Sequence, residues 1–292
     1  MLFLIGAVLC SAAFSCLLRF SEPRVGNRYV LVAGNYTACS LIGLLFLLIN
    51  MSFPTERVPF TILFGMLSGA MYMGTLLLLQ KTISASGLVL ASVFNKLGVL
   101  IPVLLALVLF SELPTAFQIA GFALAVAAIL LMFLGGRHAE DAGGAKSGYA
   151  RFLVWLLPVC LLLAAGTTDS MVNLFDKFGP ASGKDAYLFL NFFFALLFSL
   201  IIVLVRKRKA PFRMKEYLLG MLVGVPNYFA SRLVMLSLGR LPSVVVYPVY
   251  CVGTLAVITV AGIFLFREKL TVRKWVGVGI IGIALVLLNL TF

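Results

Sequence analysis

Uncharged apolar stretches of about 20 residues recur along almost the whole sequence, and they restrict the chain to a membrane-spanning fold. Hydrophobic residues make up 62% of the 292 residues and charged residues 11%, against about 45–50% and about 25% in soluble domains. A soluble domain cannot bury so much apolar surface. The sequence therefore predicts an all-α integral membrane protein with ten spans, at residues 2–18, 30–50, 60–80, 86–110, 115–135, 152–174, 186–205, 217–238, 242–266 and 271–291.

The 23 Lys and Arg residues are unevenly distributed between alternate connections. One set of connections, on one predicted side, carries most of them, at residues 19–28, 81, 137–151, 206–215 and 267–274. The opposite connections hold only Arg57, Lys177, Lys184 and Arg240. Because basic residues are retained on the cytoplasmic side, the distribution predicts both chain ends outside, in a multi-pass protein of the bacterial inner membrane.

An internal repeat relates the two halves of the chain. The segment LFSELPT from Leu109 is echoed by LFREKLT from Leu265, a shift of 156 residues, and the same shift pairs Asn35 with Asn191 and Tyr72 with Tyr228. The sequence thus predicts five-helix repeats at 1–135 and 152–292, joined by a linker at 136–151. Because five is odd, the second repeat enters the membrane inverted, and transporters built this way bind solute near midplane between the halves.

These residues resemble a known family. A helix with Pro102, a short loop with Glu112 and a following helix with Gly121 look like the repeat of the drug/metabolite transporter superfamily, EamA type, and the second copy spans Val244–Asn289. The resemblance implies a ten-helix carrier with a cavity lined mainly by the third, fourth, eighth and ninth helices, with help from the first and sixth. It also implies cytoplasmic termini, the opposite of the orientation that the basic residues predict.

A second resemblance concerns the substrate. The run FNKLGVLIP from Phe94 to Pro102 is similar to the Asn-Lys motif of the nucleotide-sugar transporters, in which the lysine faces a bound phosphate. That family carries the motif in its second half, whereas it lies in the first half here. The resemblance implies anion recognition by Asn95 and Lys96, and the alternative is that they close a polar contact between helices.

Ionisable residues inside spans are candidates for the solute site, since each is costly unless it faces a cavity or a partner. Lys96 lies deep in the fourth span, where it contacts solute or forms an ion pair with Asp169. Asp169 and Arg232 lie closer to the outer side, where membrane anchoring is the alternative. Neutral residues complete the predicted substrate site, namely Asn95, Tyr72, Tyr228, Asn227, Asn173, Tyr247 and Tyr250.

Other polar and small residues are expected to be structural. Asn35 and Asn191 lie near the ends of their spans, which favours caps or interhelical hydrogen bonds. Glu112 and Glu268 stand beside helix starts, where a carboxylate is stabilised by the helix dipole. Gly65 and Gly69 form a small-xxx-small pair that either packs helices within the chain or supports a homodimer.

The sequence predicts a secondary transporter of a small polar metabolite, anionic or zwitterionic, that works by alternating access. There are three alternatives. The first is an exporter of amino acids or amphipathic cations that uses Asp169 and aromatic residues. The others are a flippase for lipid headgroups and a channel. An enzyme is not expected, because the single histidine, His138, lies in a connection and there is no metal-ligand spacing. We expect no cofactor and no nucleic-acid partner. Because the sequence has no Walker A pattern, we expect transport across the lipid bilayer to be driven by a gradient or by exchange.

Overall fold

The computed structural model describes residues 1–21, 24–51, 56–86, 94–95, 97–110, 114–134, 148–206, 212–266 and 272–289. These residues form α-helices and no β-strand, which confirms the all-α prediction. The helices are α1 Leu2–Ser21, α2 Arg28–Ile49, α3 Val58–Ser86, α4 Leu100–Phe110, α5 Ala116–Leu134, α6 Gly148–Phe178, α7 Lys184–Arg206, α8 Met214–Leu238, α9 Ser243–Phe266 and α10 Val272–Asn289, with a 3₁₀ turn at Ala181–Gly183.

Six helices within the described residues are long and apolar enough to cross a membrane. They are α1, α2 and α8 over their full lengths, α3 over Val58–Leu79 and α6 over Leu156–Phe178. The sixth is α7 with the 3₁₀ turn before it, over Ala181–Val205. The chain is therefore a membrane protein with multiple apolar helices. Ten transmembrane helices, the inverted relation of the two halves and the repeat boundaries stay predictions.

The predicted helix over 86–110 is wrong at residues 98–99, where the chain makes a turn, and α4 begins only at Leu100. Pro102 has no N–H to donate to the carbonyl of Gly98, four residues earlier. That carbonyl instead accepts a hydrogen bond from the N–H of Ile101 at 3.0 Å. Pro102 thus lies in the first turn of a helix, where a missing N–H has no cost.

Local side-chain caps explain where two helices begin. At the start of α2, the side chain of Asn27 accepts a hydrogen bond from the N–H of Tyr29 at 3.2 Å. Before α5, the N–H of Thr115 donates to the Gln118 side chain at 3.0 Å, and the N–H of Gln118 donates to the Thr115 hydroxyl at 3.3 Å. This reciprocal pair is a capping box. Glu112 and Glu268, predicted to be stabilised by the dipoles of the helices that follow them, lie outside the described residues.

The chain divides into two compact units. Unit 1 contains Met1–Met73 and Met171–Arg240, and in it α2 packs against α7 and α8, and α1 packs against α8. The α2–α8 approach is close, since a Cβ added to Gly220 would lie 2.0 Å from the carbonyl oxygen of Leu31. At the start of α8, the buried Glu216 carboxylate accepts hydrogen bonds from the N–H groups of Gly26 and Asn27 at 2.9 and 3.2 Å.

Unit 2 contains Gly74–Ser170 and Leu241–Phe292. Within it α5 packs against α10, and α9 packs against α4, α5 and α10. A small apolar core is formed by Ala106, Val244 and Val245. The turn before α4 lies directly on α6, because a Cβ added to Gly166 would be 2.4 Å from the Gly98 carbonyl oxygen.

Candidate functional site

A charged cluster lies inside unit 1, and we call it the Arg232 cluster. Its members are Arg232, Asp185, Asn50, Tyr228 and Phe46. Nη1 of Arg232 donates to Oδ1 of Asp185 at 2.5 Å and to the hydroxyl oxygen of Tyr228 at 3.1 Å. The guanidinium carbon lies 3.9 Å from the centroid of the Phe46 ring, a cation–π contact. The side chains of Arg232 and Asp185 are each 13% exposed.

Three helices bring this cluster together. Arg232 and Tyr228 lie one turn apart on α8, so their side chains share a face. Asp185 lies in the first turn of α7, where the positive end of the helix dipole favours a carboxylate. Asn50, the residue after α2, donates from Nδ2 to Oδ2 of Asp185 at 2.7 Å. Both oxygens of the Asp185 carboxylate therefore have a donor.

Aromatic rings pack around Tyr228, whose side chain is fully buried. Its ring centroid is 5.9 Å from that of Phe46, 5.9 Å from that of Phe192 and 5.7 Å from that of Phe229. The ring of Tyr72, the repeat mate of Tyr228, also contacts Phe192, at 5.8 Å. The two predicted tyrosines, one from each half of the sequence, thus contact the same phenylalanine.

Asn227 takes part in a contact between α2 and α8. Its Nδ2 donates to Oδ1 of Asn35 at 3.2 Å, which confirms the predicted interhelical role of Asn35. Next to this pair, the thiol of Cys39 donates to the carbonyl oxygen of Gly224 at 3.2 Å. Asn227, which precedes Tyr228 of the Arg232 cluster, therefore links α8 to α2.

The remaining predicted site residues lie apart from this cluster. Asn173 is buried on α6 within unit 1. In unit 2, the hydroxyl of the buried Tyr247 donates to the backbone carbonyl of Asp169 at 2.8 Å. Tyr250 and Asn95 are half-buried in the same unit, and Lys96 lies outside the described residues. Neither the role predicted for Lys96 nor its alternative ion pair with Asp169 is tested by the structure.

Sequence reasoning missed Asp185, Asn50 and Phe46. Asp185 stands immediately before the predicted span 186–205, so the sequence places it in a connection between helices. The available signal was an acidic residue at the start of a span, in a chain with an unpaired arginine in another span. Such a signal identifies a candidate partner only when the helices are known to be neighbours.

The chemistry of the Arg232 cluster suits anion binding. A guanidinium has several N–H donors in a planar fork that matches carboxylate and phosphate groups. The two hydrogen bonds within the described residues use Nη1 alone, so Nη2 and Nε stay available for a ligand. No group of three or more His, Cys, Asp or Glu residues suitable for a metal ion occurs in the described part of the chain.

Comparison with known proteins identifies the class. Residues 156–290 match the EamA-like transporter family. This match places the second half of the chain in the drug/metabolite transporter superfamily. This membership confirms the resemblance of the repeat motif, supports a transporter in general, and agrees with the expectation that the protein is not an enzyme.

Two further proteins resemble this chain over nearly their whole length. An uncharacterised protein of Haemophilus influenzae is 22% identical over 288 residues, covering 94% of this chain and 93% of its own. The crystal structure of another protein aligns with a TM-score of 0.75 at 13% identity, covering 99% of this chain and 97% of its own. The second similarity shows the fold alone.

Proposed function

We propose that the protein is a secondary transporter of a small metabolite that carries a carboxylate or phosphate group, and that it works by alternating access. The observation that carries the proposal is Arg232, a cation within an apolar helix whose one ionic partner in the described part of the chain is Asp185. A charged residue inside a membrane helix has a free-energy cost, which reaches about 2.5–3.5 kcal/mol at the helix centre and is smaller near an end, where Arg232 lies. Such a cost is commonly retained where the charge contacts a solute.

The surroundings of Arg232 support recognition of an anion. The Tyr228 hydroxyl and the Phe46 ring hold the guanidinium in one orientation. A receptor that is already oriented loses little conformational entropy when its ligand binds. The side chain is 13% exposed, so the protein does not cover it completely.

Paired helix contacts in unit 1 support an inverted repeat, the architecture on which alternating access depends in many carriers. On α2, a Cβ added to Gly34 would lie 2.1 Å from the carbonyl oxygen of Tyr217 and 3.1 Å from the N of Met221 on α8. In the predicted repeat, Gly34 of the first half corresponds to Leu190 of the second half, and Met221 of the second half corresponds to Gly65 of the first. The inverted repeat therefore predicts that Gly65 and Leu190 are in close contact as well. A Cβ added to Gly65 would indeed lie 2.6 Å from the Cβ of Leu190.

A binding screen combined with a transport assay tests the proposal. Purified protein is melted with inorganic phosphate, glucose 1-phosphate, UDP-glucose, lactate, alanine or tetraethylammonium, and the best compound is then measured for counterflow in proteoliposomes. We expect a phosphate- or carboxylate-bearing anion to raise Tm with concentration. Arg232→Gln removes the guanidinium and should lower the affinity for that anion by about tenfold or more. Loss of the charged partner of a buried group costs about 2 kcal/mol or more.

Arg240→Gln is the matched control. Arg240 is exposed near the same end of unit 1 and stacks on the Phe3 ring at 4.6 Å, so this variant removes the same charge outside the helix interior. Anion affinity should be unchanged. Lys96→Ala tests whether Lys96 supplies a second anion contact, in which case affinity falls again in the double variant with Arg232→Gln.

Binding of a cation or a zwitterion in place of an anion would contradict the proposal. If tetraethylammonium or alanine stabilises wild type and Arg232→Gln equally, while no anion stabilises either protein, anion recognition by Arg232 is wrong. The search then moves to Asp169 and Tyr247, the groups that the cation-exporter alternative uses. Transport of a lipid headgroup between leaflets without counterflow of a water-soluble compound supports the flippase alternative.

A further inference from the structure

We propose that Asp185 is an internal anion that occupies Arg232 in the empty transporter, and that the transported anion must displace it. This inference rests on the proposed function and adds a mechanism of selection to it. Asp185 then acts as a competitor that keeps the Arg232 site neutral. A solute that binds at Nη2 and Nε meets a guanidinium that Asp185 already neutralises. It gains the full charge attraction only by displacing this carboxylate.

Asp185 has support that does not depend on Arg232. Its Oδ2 accepts a hydrogen bond from Nδ2 of Asn50 at 2.7 Å. Its place in the first turn of α7 puts the carboxylate at the positive end of that helix. When a ligand displaces Asp185 from Arg232, the carboxylate therefore keeps one donor and a favourable helix dipole, so the separation has a moderate cost.

Arg232 likewise has support that does not depend on Asp185. The hydrogen bond from Nη1 to the Tyr228 hydroxyl and the contact with the Phe46 ring both stay in place when the ion pair opens. The buried Tyr228 ring is in turn fixed by Phe192. The guanidinium is thus a fixed receptor, and Asp185 is the exchangeable partner.

The neighbouring charges leave Asp185 as the competing group. Lys184, the preceding residue, forms an ion pair with Asp176, whose side chain is 6% exposed. Asp176 is therefore committed to a cation on α7, and Lys184 to an anion on α6. Among the acidic residues that the structure describes, the one facing Arg232 is Asp185, opposite Asn50 from α2 and Tyr228 and Arg232 from α8.

The ligand chemistry follows from this exchange. A carboxylate or a phosphate group matches the donors that Asp185 now uses and restores neutrality at Arg232. Such a group belongs either to a soluble metabolite or to an anionic lipid headgroup. A zwitterion behaves differently, because its ammonium group gains from a nearby Asp185 carboxylate rather than competing with it.

Asp185→Asn separates competition from support. The substitution removes the charge, keeps the shape and keeps an oxygen that accepts from Asn50. We expect Kd for inorganic phosphate and lactate, measured by thermal shift in phosphatidylcholine nanodiscs, to fall by about tenfold, which corresponds to about 1.4 kcal/mol for an ion pair whose side chains are mostly buried. Counterflow in proteoliposomes should slow, because Asp185 no longer helps to expel the anion.

Two further variants guard against an effect on folding. Asp185→Glu returns the carboxylate and should restore Kd to within about threefold of wild type. Asp176→Asn removes a carboxylate from the adjacent ion pair and should leave Kd unchanged. Nanodiscs that contain phosphatidylglycerol identify the source of the anion, since a headgroup ligand competes with phosphate there, and more strongly in Asp185→Asn.

The outcomes separate the two proposals. If wild type binds phosphate or lactate through Arg232, but Asp185→Asn binds them equally or more weakly while Asp185→Glu binds normally, the competitor role is overturned and anion transport stands. If alanine alone binds and Asp185→Asn weakens it, Asp185 contacts the solute directly and the competitor role is also overturned. If no anion binds wild type and Arg232→Gln changes nothing, both proposals fall.

Discussion

Asn35 and Asn191 occupy matched positions in the two predicted repeats, yet their side chains have different surroundings. Asn35 accepts a hydrogen bond from Asn227. The residue 156 positions before Asn227 is Met71, whose thioether cannot replace an amide. Asn191 is 1% exposed, and neither polar atom of its side chain has a hydrogen-bond partner within the described residues. The interhelical hydrogen bond predicted for Asn191 is therefore absent there.

A buried amide without a partner lowers stability, because it has lost its hydration without gaining hydrogen bonds. Replacing it with an apolar side chain of similar size, Asn191→Leu, should raise the free energy of unfolding by about 1 kcal/mol. Melting of the detergent-solubilised protein measures the effect as a higher Tm. Asn35→Leu is the matched control and should lower Tm, since it strands the Asn227 amide. A lower Tm for Asn191→Leu would mean that the Asn191 amide has a polar partner.

At the scale of elements, glycines determine how closely helices approach in unit 1. Gly34 on α2 and Gly220 on α8 both leave room for the backbone of the facing helix. Gly65 and Gly69 do the same for α3 against α7, where an added Cβ at Gly69 would lie 2.5 Å from the carbonyl oxygen of Asn191. The predicted small-xxx-small pair thus packs helices within the chain. In membranes, where no hydrophobic force draws helices together, such close packing is a main source of association.

Gly220→Ala tests this contact. Its Cβ would meet the Leu31 carbonyl group at 2.0 Å, and backbone must move to relieve the clash. We expect a loss of about 1–3 kcal/mol, the usual cost of overpacking, seen as a lower Tm. Gly74→Ala is the control, because no heavy atom lies within 4 Å of its added Cβ. That change should be neutral or stabilise α3 by about 0.5–1 kcal/mol. Equal effects of the two substitutions would contradict the close α2–α8 contact.

At the scale of the whole molecule, the basic residues of the predicted outer connections are engaged in local contacts. Lys184 pairs with Asp176, and Nη1 of Arg57 donates to the carbonyl oxygen of Phe178 at 3.3 Å. Arg240 stacks on the Phe3 ring. In the orientation that the distribution of basic residues predicts, the Arg232 cluster lies near the outer side.

Reporter fusions test that orientation. Alkaline phosphatase fused after Phe292 should be active and green fluorescent protein at the same position dark, because the basic residues predict this end outside. Insertion of the same reporters after Arg208 should give the reverse pattern. If the fluorescent protein is bright after Phe292 and the phosphatase is active at position 208, the orientation implied by the resemblance to EamA-type carriers is correct, and the Arg232 cluster lies toward the cytoplasm.

The all-α membrane class, the repeat motif and the similarity to the superfamily follow from the amino-acid sequence without any structure. These properties depend on consecutive apolar residues and on matches along the chain, so they need no knowledge of which helices are neighbours. Arg232 and Tyr228 could be selected for a similar reason, since a charge or a repeated tyrosine inside a span is visible locally. Pro102 was also visible, but its effect as the start of α4 depended on the hydrogen bonds around Gly98.

The groups that these residues contact are known only from the tertiary structure. Asp185 is 47 positions from Arg232 in the sequence and lies on another helix. The missing partner of Asn191 depends on how α3 faces α7, and the contacts of Gly220 depend on how α2 faces α8. An ion pair, an unpaired amide and a close helix contact are properties of distances across helix interfaces. Hydropathy and spacing carry no information about those distances, because they describe each helix along its own axis.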